Sequence, residues 1–231
     1  RKRRVPATKG IGLNPTFASG GLPAMQTLHR RTLLALGASA LALAACKGGN
    51  SAGVSADDMS LGDPKAKVTV IEYASLACSH CAKWNKEVFP AFKAKYIDTG
   101  KVHYVFREFI TAPPQLAVAG TLMARCAGKD KYFTVIDAVF HGQDEIFRTG
   151  DIRGVLLPIA QSAGMDEDAF MTCVSDEKAI NALSAKVEKY AKEANIQGTP
   201  TFFFNDDKYD KGEMTMAEMD AAYDKALAKA K

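Results

Sequence analysis

The chain has 231 residues, of which 47% are apolar and 24% are charged, a balance typical of globular proteins. Its net charge of +4 is unevenly distributed, because seven basic and no acidic residues precede Cys46. The remaining 23 basic and 26 acidic residues give a net charge of −3. Nucleic-acid-binding proteins carry clustered basic residues on one face, and the slightly acidic remainder of this chain does not suggest such a face. We therefore expect no nucleic-acid partner.

Residues 1–45 are predicted to form a leader. The basic pair Arg30–Arg31 precedes an uncharged apolar run of 14 residues, 32–45. A membrane-spanning helix needs about 20 residues, so this run is typical of the apolar region of a signal peptide. Met25 is the expected translation start, which places residues 1–24 upstream of the translated protein.

The apolar run ends in Leu-Ala-Ala-Cys at positions 43–46, which resembles a bacterial lipobox. In such a motif the cysteine after the cleavage site carries lipid, and we therefore predict lipidation of Cys46. The alternative is ordinary signal cleavage beside an incidental cysteine. Residues 46–62 begin Cys-Lys-Gly-Gly-Asn-Ser and are predicted to form a flexible tether.

The sequence from residue 67 to residue 106 predicts a strand, a helix and a second strand, the order that a βαβ unit requires. The sequence Lys67–Tyr73 is rich in β-branched residues, which favours a buried strand. Apolar residues recur at spacings of three and four from Cys81 to Tyr96 and predict a helix that Gly100 ends. Val102–Phe106 is the second predicted strand.

Residues 113–190 are predicted to form an inserted helical domain. Five helical segments follow Pro113-Pro114 and cover, approximately, 116–126, 132–140, 152–163, 166–174 and 176–195. The chain then predicts a strand at Thr201–Phe204, a turn, a weak strand at Lys208–Lys211, and a last helix that opens with the capping-box pattern of Thr215 and Glu218. We accordingly assign the α/β domain to residues 63–112 and 191–231.

Five cysteines stand at positions 46, 78, 81, 126 and 173. If Cys46 carries lipid and the protein is exported to an oxidising compartment, the other four are expected to pair. The spacing pairs Cys78 with Cys81 and leaves Cys126 and Cys173 to form a structural disulfide. The alternative for the last two is a pair of free thiols in an apolar core.

The motif Cys78-Ser79-His80-Cys81 is the candidate redox centre. Cys78 falls at a helix start, where free N–H groups and the helix dipole favour an anion, so we expect a lowered pKa and a nucleophilic thiolate. Cys81 lies one turn later on the apolar face and is expected to be the buried, resolving thiol. His80 is expected to donate a hydrogen bond or positive charge to the Cys78 thiolate, the alternative being an exposed residue without a role. Zinc needs four N or S ligands, so we expect no metal site, and metal binding by these residues is the minor alternative.

The stretch VIEYASLACSHC at 70–81, the helical insertion and the Gly-Thr-Pro-Thr sequence before a Phe-rich strand resemble the DsbA-like branch of the thioredoxin superfamily. The resemblance covers residues 63–228. It implies an α/β, thioredoxin-like fold with a helical insertion between the βαβ unit and a C-terminal ββα unit. It also implies that Thr199-Pro200 forms a cis-proline loop that binds substrate backbone, although a trans proline opening a strand is the alternative. Finally, it implies that Glu72 is a buried acid that relays the proton of Cys81, the alternative being an outward-facing strand residue.

The activity implied by the resemblance is thiol–disulfide exchange that introduces disulfide bonds into exported proteins in the periplasm. The redox group would be the Cys78–Cys81 disulfide, with no other cofactor. The implied partners are unfolded exported proteins with free thiols and a quinone-linked membrane oxidase like DsbB, and the protein is expected to be a monomer whose only membrane contact is the lipid anchor. A disulfide reductase or isomerase is an alternative, because Ser79-His80 replaces the Pro-His of the best-known oxidases. A lipid-anchored metal carrier is another.

Overall fold

The computed structural model describes residues 53–230, and the predicted leader, the Met25 start and Cys46 lie outside this range. Its strands form one mixed sheet in the order β1-β3-β2-β4-β5. The strands are β1 (Met59–Gly62), β2 (Val68–Ala74), β3 (Val102–Glu108), β4 (Thr201–Phe204) and β5 (Asp207–Tyr209). The central strand β2 runs parallel to β3 and antiparallel to β4, whereas β1 and β5 pair antiparallel at the two edges.

The α-helices of the described range cover both faces of this sheet. They are α1 (Ser79–Glu87), α2 (Phe89–Phe92), α3 (Pro114–Cys126), α4 (Lys129–Thr149), α5 (Ile152–Ser162), α6 (Glu167–Val174), α7 (Glu177–Glu193) and α8 (Met216–Lys229). On one face Tyr190 of α7 packs in a cluster with Ile71 and Phe203. On the other face Trp84 of α1 packs against Phe202, whose centroid lies 4.7 Å from that of the indole. Alternate residues of β2 and β4 therefore serve two separate clusters.

The helix predicted from Cys81 to Tyr96 is interrupted in the structure. The first segment, α1, ends at Glu87, and Pro90 lies in the first turn of α2. A π-helical turn, Lys93–Ile97, completes the connection to β3. Proline lacks a backbone N–H and is accommodated best in the first helical turn, so the helix restarts there.

The predicted tether, residues 46–62, is wrong at its C-terminal end, because Met59–Gly62 forms β1. The preceding residue, Asp58, accepts a hydrogen bond from Nη2 of Arg107 at 2.9 Å, and both side chains are fully buried. Arg107 also donates to the Tyr73 hydroxyl and to the carbonyl of Gly53. Four residues carry too little pattern to predict a strand, and it is the pairing with β3 that specifies this one.

The predicted inserted helices are present, as α3 to α7. The insertion ends later than residue 190, because α7 continues to Glu193. A disulfide joins Cys126 of α3 to Cys173 of α6, the pairing predicted from the cysteine count. The weak strand predicted at Lys208–Lys211 is also displaced, since β5 covers Asp207–Tyr209.

Candidate active site

Cys78 lies at the junction of sheet and helix that the sequence predicts. Strand β2 ends at Ala74, a short loop follows, and Cys78 is the N-cap residue of α1. Its sulfur accepts a hydrogen bond from the Cys81 backbone N–H at 3.4 Å, as a capping side chain does. Both cysteines of the motif are free thiols, with Cys78 half-buried and Cys81 buried.

These surroundings lower the pKa of Cys78 to about 6. The largest cause is the hydrogen bond from the Cys81 side chain, and the Thr199 side chain and the N–H groups of Cys81 and His80 add to it against the opposing effect of burial. Each of these donors stabilises the thiolate at the helix start. With this pKa, Cys78 is largely ionised at neutral pH, as a nucleophilic thiol must be.

Cys81 has the opposite character. Its side chain has no solvent exposure, and burial raises its pKa well above the usual thiol value. Interactions with Cys78 and Glu72 raise this pKa further. Two thiols one helical turn apart thus differ strongly in acidity, and the lack of exposure confirms the predicted burial of Cys81.

Glu72 lies on β2 beneath the motif and is 1% exposed. Its Oε2 accepts a hydrogen bond from the Tyr104 hydroxyl, whereas Oε1 has no hydrogen-bond partner among residues 53–230. Burial raises the pKa of Glu72 to about 8. The carboxyl is therefore mostly protonated at neutral pH and is electrostatically coupled to Cys81.

The Thr199–Pro200 peptide bond is cis, the isomer that the resemblance implies. The loop directly precedes β4 and faces Cys78, whose sulfur lies 3.3 Å from the Thr199 carbonyl oxygen and donates a hydrogen bond to it when Cys78 is protonated. Pro200 is buried, whereas Thr199 is partly exposed. The cis-proline loop therefore lies directly beside the Cys78 sulfur.

The side chain of His80 does not make the predicted contact with Cys78. Its Nδ1 lies 2.5 Å from Oε1 of Glu213, in the loop between β5 and α8, and the side chain is 71% exposed. Of the groups of His80, the backbone N–H is the one that helps to lower the pKa of Cys78. The His80 ring pairs with Glu213 because a carboxylate is a strong acceptor and lies within reach of the ring.

Sequence reasoning missed one residue that holds the active-site loop. Gln143 of α4 is 1% exposed, and its Nε2 donates to the carbonyls of Leu76 and Cys78 at 2.7 and 3.2 Å. It ties the inserted helices to the residues around the nucleophile. A glutamine in the middle of a helix, 65 positions away, carries no sequence signal for such a contact.

Residues 53–230 lack two other types of site. No group of three or more His, Cys, Asp or Glu side chains in this range is placed to hold a metal ion. Within the same range, no helix combines the length and the apolar character needed to cross a bilayer.

Comparison with known proteins agrees with this geometry. The model of a family described as thioredoxin matches residues 55–225. The crystal structure of Wolbachia pipientis alpha-DsbA1 superposes with a TM-score of 0.69 and 31% identity, over 79% of this chain and 98% of the other. The chain belongs to the DsbA-like branch of the thioredoxin superfamily.

Curated relatives of this DsbA-like protein carry related names. A Rickettsia conorii protein provisionally named protein-disulfide oxidoreductase is 36% identical over 176 residues, which are 76% of this chain and 62% of the relative. A Bacillus cereus protein provisionally named disulfide bond formation protein D is 27% identical and matches 68% of this chain and 74% of its own. The chain spans only 54% to 66% of the length of the Rickettsia relatives it matches.

Proposed function

We propose that this DsbA-like protein catalyses thiol–disulfide exchange and oxidises thiols of exported proteins. The observation that carries the proposal is the asymmetry of the motif. Cys78 is accessible and has a pKa of about 6, whereas Cys81 is buried and has a raised pKa. The Cys78–Cys81 disulfide would be the only redox group, without a further cofactor.

The first step of this reaction uses the buried pair of Cys81 and Glu72. A substrate thiolate attacks the Cys78 sulfur of the oxidised protein, so that a mixed disulfide forms and the Cys78–Cys81 bond breaks. The electron pair leaves on Cys81, whose raised pKa makes it a strong base. Glu72, mostly protonated below pH 8, can supply the proton that Cys81 needs.

The second step releases Cys78. A second substrate thiolate attacks the substrate sulfur of the mixed disulfide, forming the substrate disulfide and expelling Cys78 as a thiolate. A thiol of low pKa leaves faster, and its stabilised thiolate favours the reduced protein. In the sum of the two steps, the substrate dithiol is oxidised to a disulfide and the Cys78–Cys81 pair is reduced.

Reductase activity is the second candidate function. The pKa of Cys78, about 6, lies nearer the value of roughly 7 for thioredoxin than the value of about 3.5 for the most oxidising members. A thiolate of intermediate stability makes a weaker oxidant. The direction of net exchange therefore depends on the reduction potential.

The deciding experiment is equilibration of the Cys78–Cys81 pair with glutathione, with Cys126 and Cys173 followed separately by alkylation and mass spectrometry. A potential near about −120 mV, the value of a strong oxidase, supports the proposal. A potential near about −270 mV, the value of thioredoxin, contradicts it and favours a reductase. Absence of exchange would contradict both candidates.

We further propose that the protein is exported to the periplasm and anchored by lipid on Cys46. The support is the basic pair, the short apolar run and the Leu-Ala-Ala-Cys sequence at 43–46. Metabolic labelling with a fatty acid should mark the wild-type protein and not the Cys46→Ala variant, which should leave the membrane fraction. Equal membrane association of both proteins would contradict the anchor.

Reoxidation and assembly complete the proposal. An oxidase of this type needs an electron acceptor after each turnover, and we infer a quinone-linked membrane partner like DsbB. Trapping with a Cys81→Ala variant should capture that partner as a mixed disulfide on Cys78. We also infer a monomer, which light scattering during gel filtration would test.

A further inference from the structure

Glu213 connects the loop between β5 and α8 to the first turns of α1. One carboxylate oxygen lies 2.5 Å from Nδ1 of His80, and the other accepts a hydrogen bond from Nζ of Lys83 at 2.6 Å. The Glu213 side chain is only 21% exposed, although both of its partners are more open to solvent. The carboxylate thus bridges two side chains of the helix that carries the redox motif.

This bridge determines what the His80 ring can do. A hydrogen bond between a carboxylate and Nδ1 requires the proton on Nδ1, so that nitrogen cannot donate to Cys78. Among the hydrogen bonds of residues 53–230, none joins the His80 ring to Cys78. The donors that stabilise the Cys78 thiolate are instead on Cys81, Thr199 and the backbone.

Glu213 also keeps its negative charge at neutral pH, so the bridge is present there. The hydrogen bond from Lys83 is the largest cause of a lowered pKa of Glu213, and His80 lowers the pKa further. The group is therefore a carboxylate over the range in which Cys78 is a thiolate. Lys83 keeps one carboxylate oxygen in place and leaves the other directed at His80.

We propose that Glu213 is a positioning residue that holds the His80 imidazole away from the Cys78 sulfur and thereby weakens the oxidising power of the motif. The inference rests on the proposed function and concerns the regulation of the same site. An imidazole that reached the thiolate would stabilise the reduced protein, and Glu213 competes for that imidazole. The loop 210–215 thus sets the redox poise of a motif more than 130 residues earlier in the chain.

The test is the equilibrium of Glu213→Ala with glutathione, in which one protein disulfide and two glutathione thiols give one protein dithiol and one glutathione disulfide. We expect the variant to be more oxidising, with the constant shifted about threefold to tenfold toward the dithiol, as a new hydrogen bond to a charged group at a partly exposed site would produce. The apparent pKa of Cys78, followed by the ultraviolet absorbance of its thiolate, should fall in parallel. Glu213→Gln keeps one acceptor and should give a smaller shift.

A control variant and a control background separate positioning from a general effect of charge. Glu87→Ala removes an acidic residue that contacts Lys83 at 3.9 Å but not His80, and it should change the constant by less than about twofold. In a His80→Ala background, Glu213→Ala should likewise have almost no effect, because the group it positions is gone.

The outcomes distinguish this inference from the proposed function. If Glu213→Ala leaves the constant unchanged, or shifts it equally with and without His80, the positioning role is overturned while exchange activity stands. If the wild-type protein does not exchange with glutathione at all, the proposed function fails and the inference fails with it.

Discussion

Each of the two cysteine pairs joins a more exposed residue to a buried one, but the pairs differ in their place on the helices. Cys78 is half-buried beside a buried Cys81, and Cys126 is exposed beside Cys173, which is 8% exposed. Cys78, however, caps the start of α1, whereas Cys126 is the last residue of α3. Helix starts stabilise anions and helix ends disfavour them. Accessibility alone therefore does not make a disulfide reactive, and the local field decides which sulfur leaves as a thiolate.

The largest test of this comparison removes each pair in turn. Cys78→Ser should lower the rate of substrate oxidation by at least about 10³-fold, since loss of a nucleophile has effects of this order or larger. The double variant Cys126→Ser with Cys173→Ser should keep most of the activity at low temperature. Both are measured with a reduced, unfolded dithiol protein as substrate. Comparable loss of activity in the two variants would remove the functional distinction between the pairs.

Glu72 sharpens the comparison, because this buried acid raises the pKa of Cys81 in the reactive pair. Glu72→Gln keeps the shape and an acceptor for Tyr104 but cannot supply a proton to Cys81. We expect the exchange rate to fall by about 10²-fold, the lower range for general acid–base catalysis. The decline of the wild-type rate above pH 8 should also disappear. A variant with the wild-type pH–rate profile would exclude Glu72 from proton transfer.

The same substitution should change the dependence of stability on pH. The pKa of Glu72 is about 8 in the folded protein and near 4.5 as the ordinary value, so the unfolded chain loses this proton first as the pH rises. Relative to Glu72→Gln, the wild-type protein should lose stability between about pH 4.5 and 8, because only the wild-type chain has a carboxyl that ionises there when it unfolds. The difference at pH 8 should be on the order of 3–5 kcal/mol. Urea unfolding of the reduced wild-type and Glu72→Gln proteins measures this difference in the free energy of unfolding. The contribution of Cys78 titration is the same in both proteins and cancels in the difference.

Removal of the second pair should affect folding stability instead of chemistry. The disulfide closes a loop of 47 residues between α3 and α6. Replacing both cysteines with alanine should lower the free energy of unfolding by about 2–4 kcal/mol. Denaturant unfolding with Cys78 and Cys81 kept reduced checks this value. An unchanged midpoint would show that helix packing alone holds α3 to α6.

The smallest expected effect is at Gln143, which supports the loop of the reactive pair. Gln143→Leu would leave the buried Leu76 carbonyl without its donor, whereas the Cys78 carbonyl would still accept from Ala82. We expect a loss of about 1–3 kcal/mol in stability and a modest loss of exchange rate. The exposed Gln161→Leu on α5 is the control and should do neither. Equal effects of the two variants would contradict the supporting role of Gln143.

The sequence by itself determined the features that depend on neighbours in the chain. The place of Cys78 at a helix start follows from an apolar strand and an amphipathic helix on either side of the motif. The start of α8 follows from the capping box of Thr215 and Glu218, both of whose hydrogen bonds are present. The disulfide between Cys126 and Cys173 follows from a count of four cysteines. Local hydrogen bonds and periodic patterns are written within a few residues, so the sequence reveals them.

Only the tertiary structure decided the features that join distant residues. Strand β1 is stabilised by pairing with β3 and by the buried contact between Asp58 and Arg107, neither of which has a local pattern. Gln143 of α4 donates a hydrogen bond to the Cys78 carbonyl, and Glu213 bonds to the imidazole of His80, which is 133 positions earlier in the chain. A side chain's hydrogen-bond partner is set by which acceptor the fold brings nearest. The sequence therefore shows that His80 can donate a hydrogen bond, but it does not show which acceptor its ring contacts.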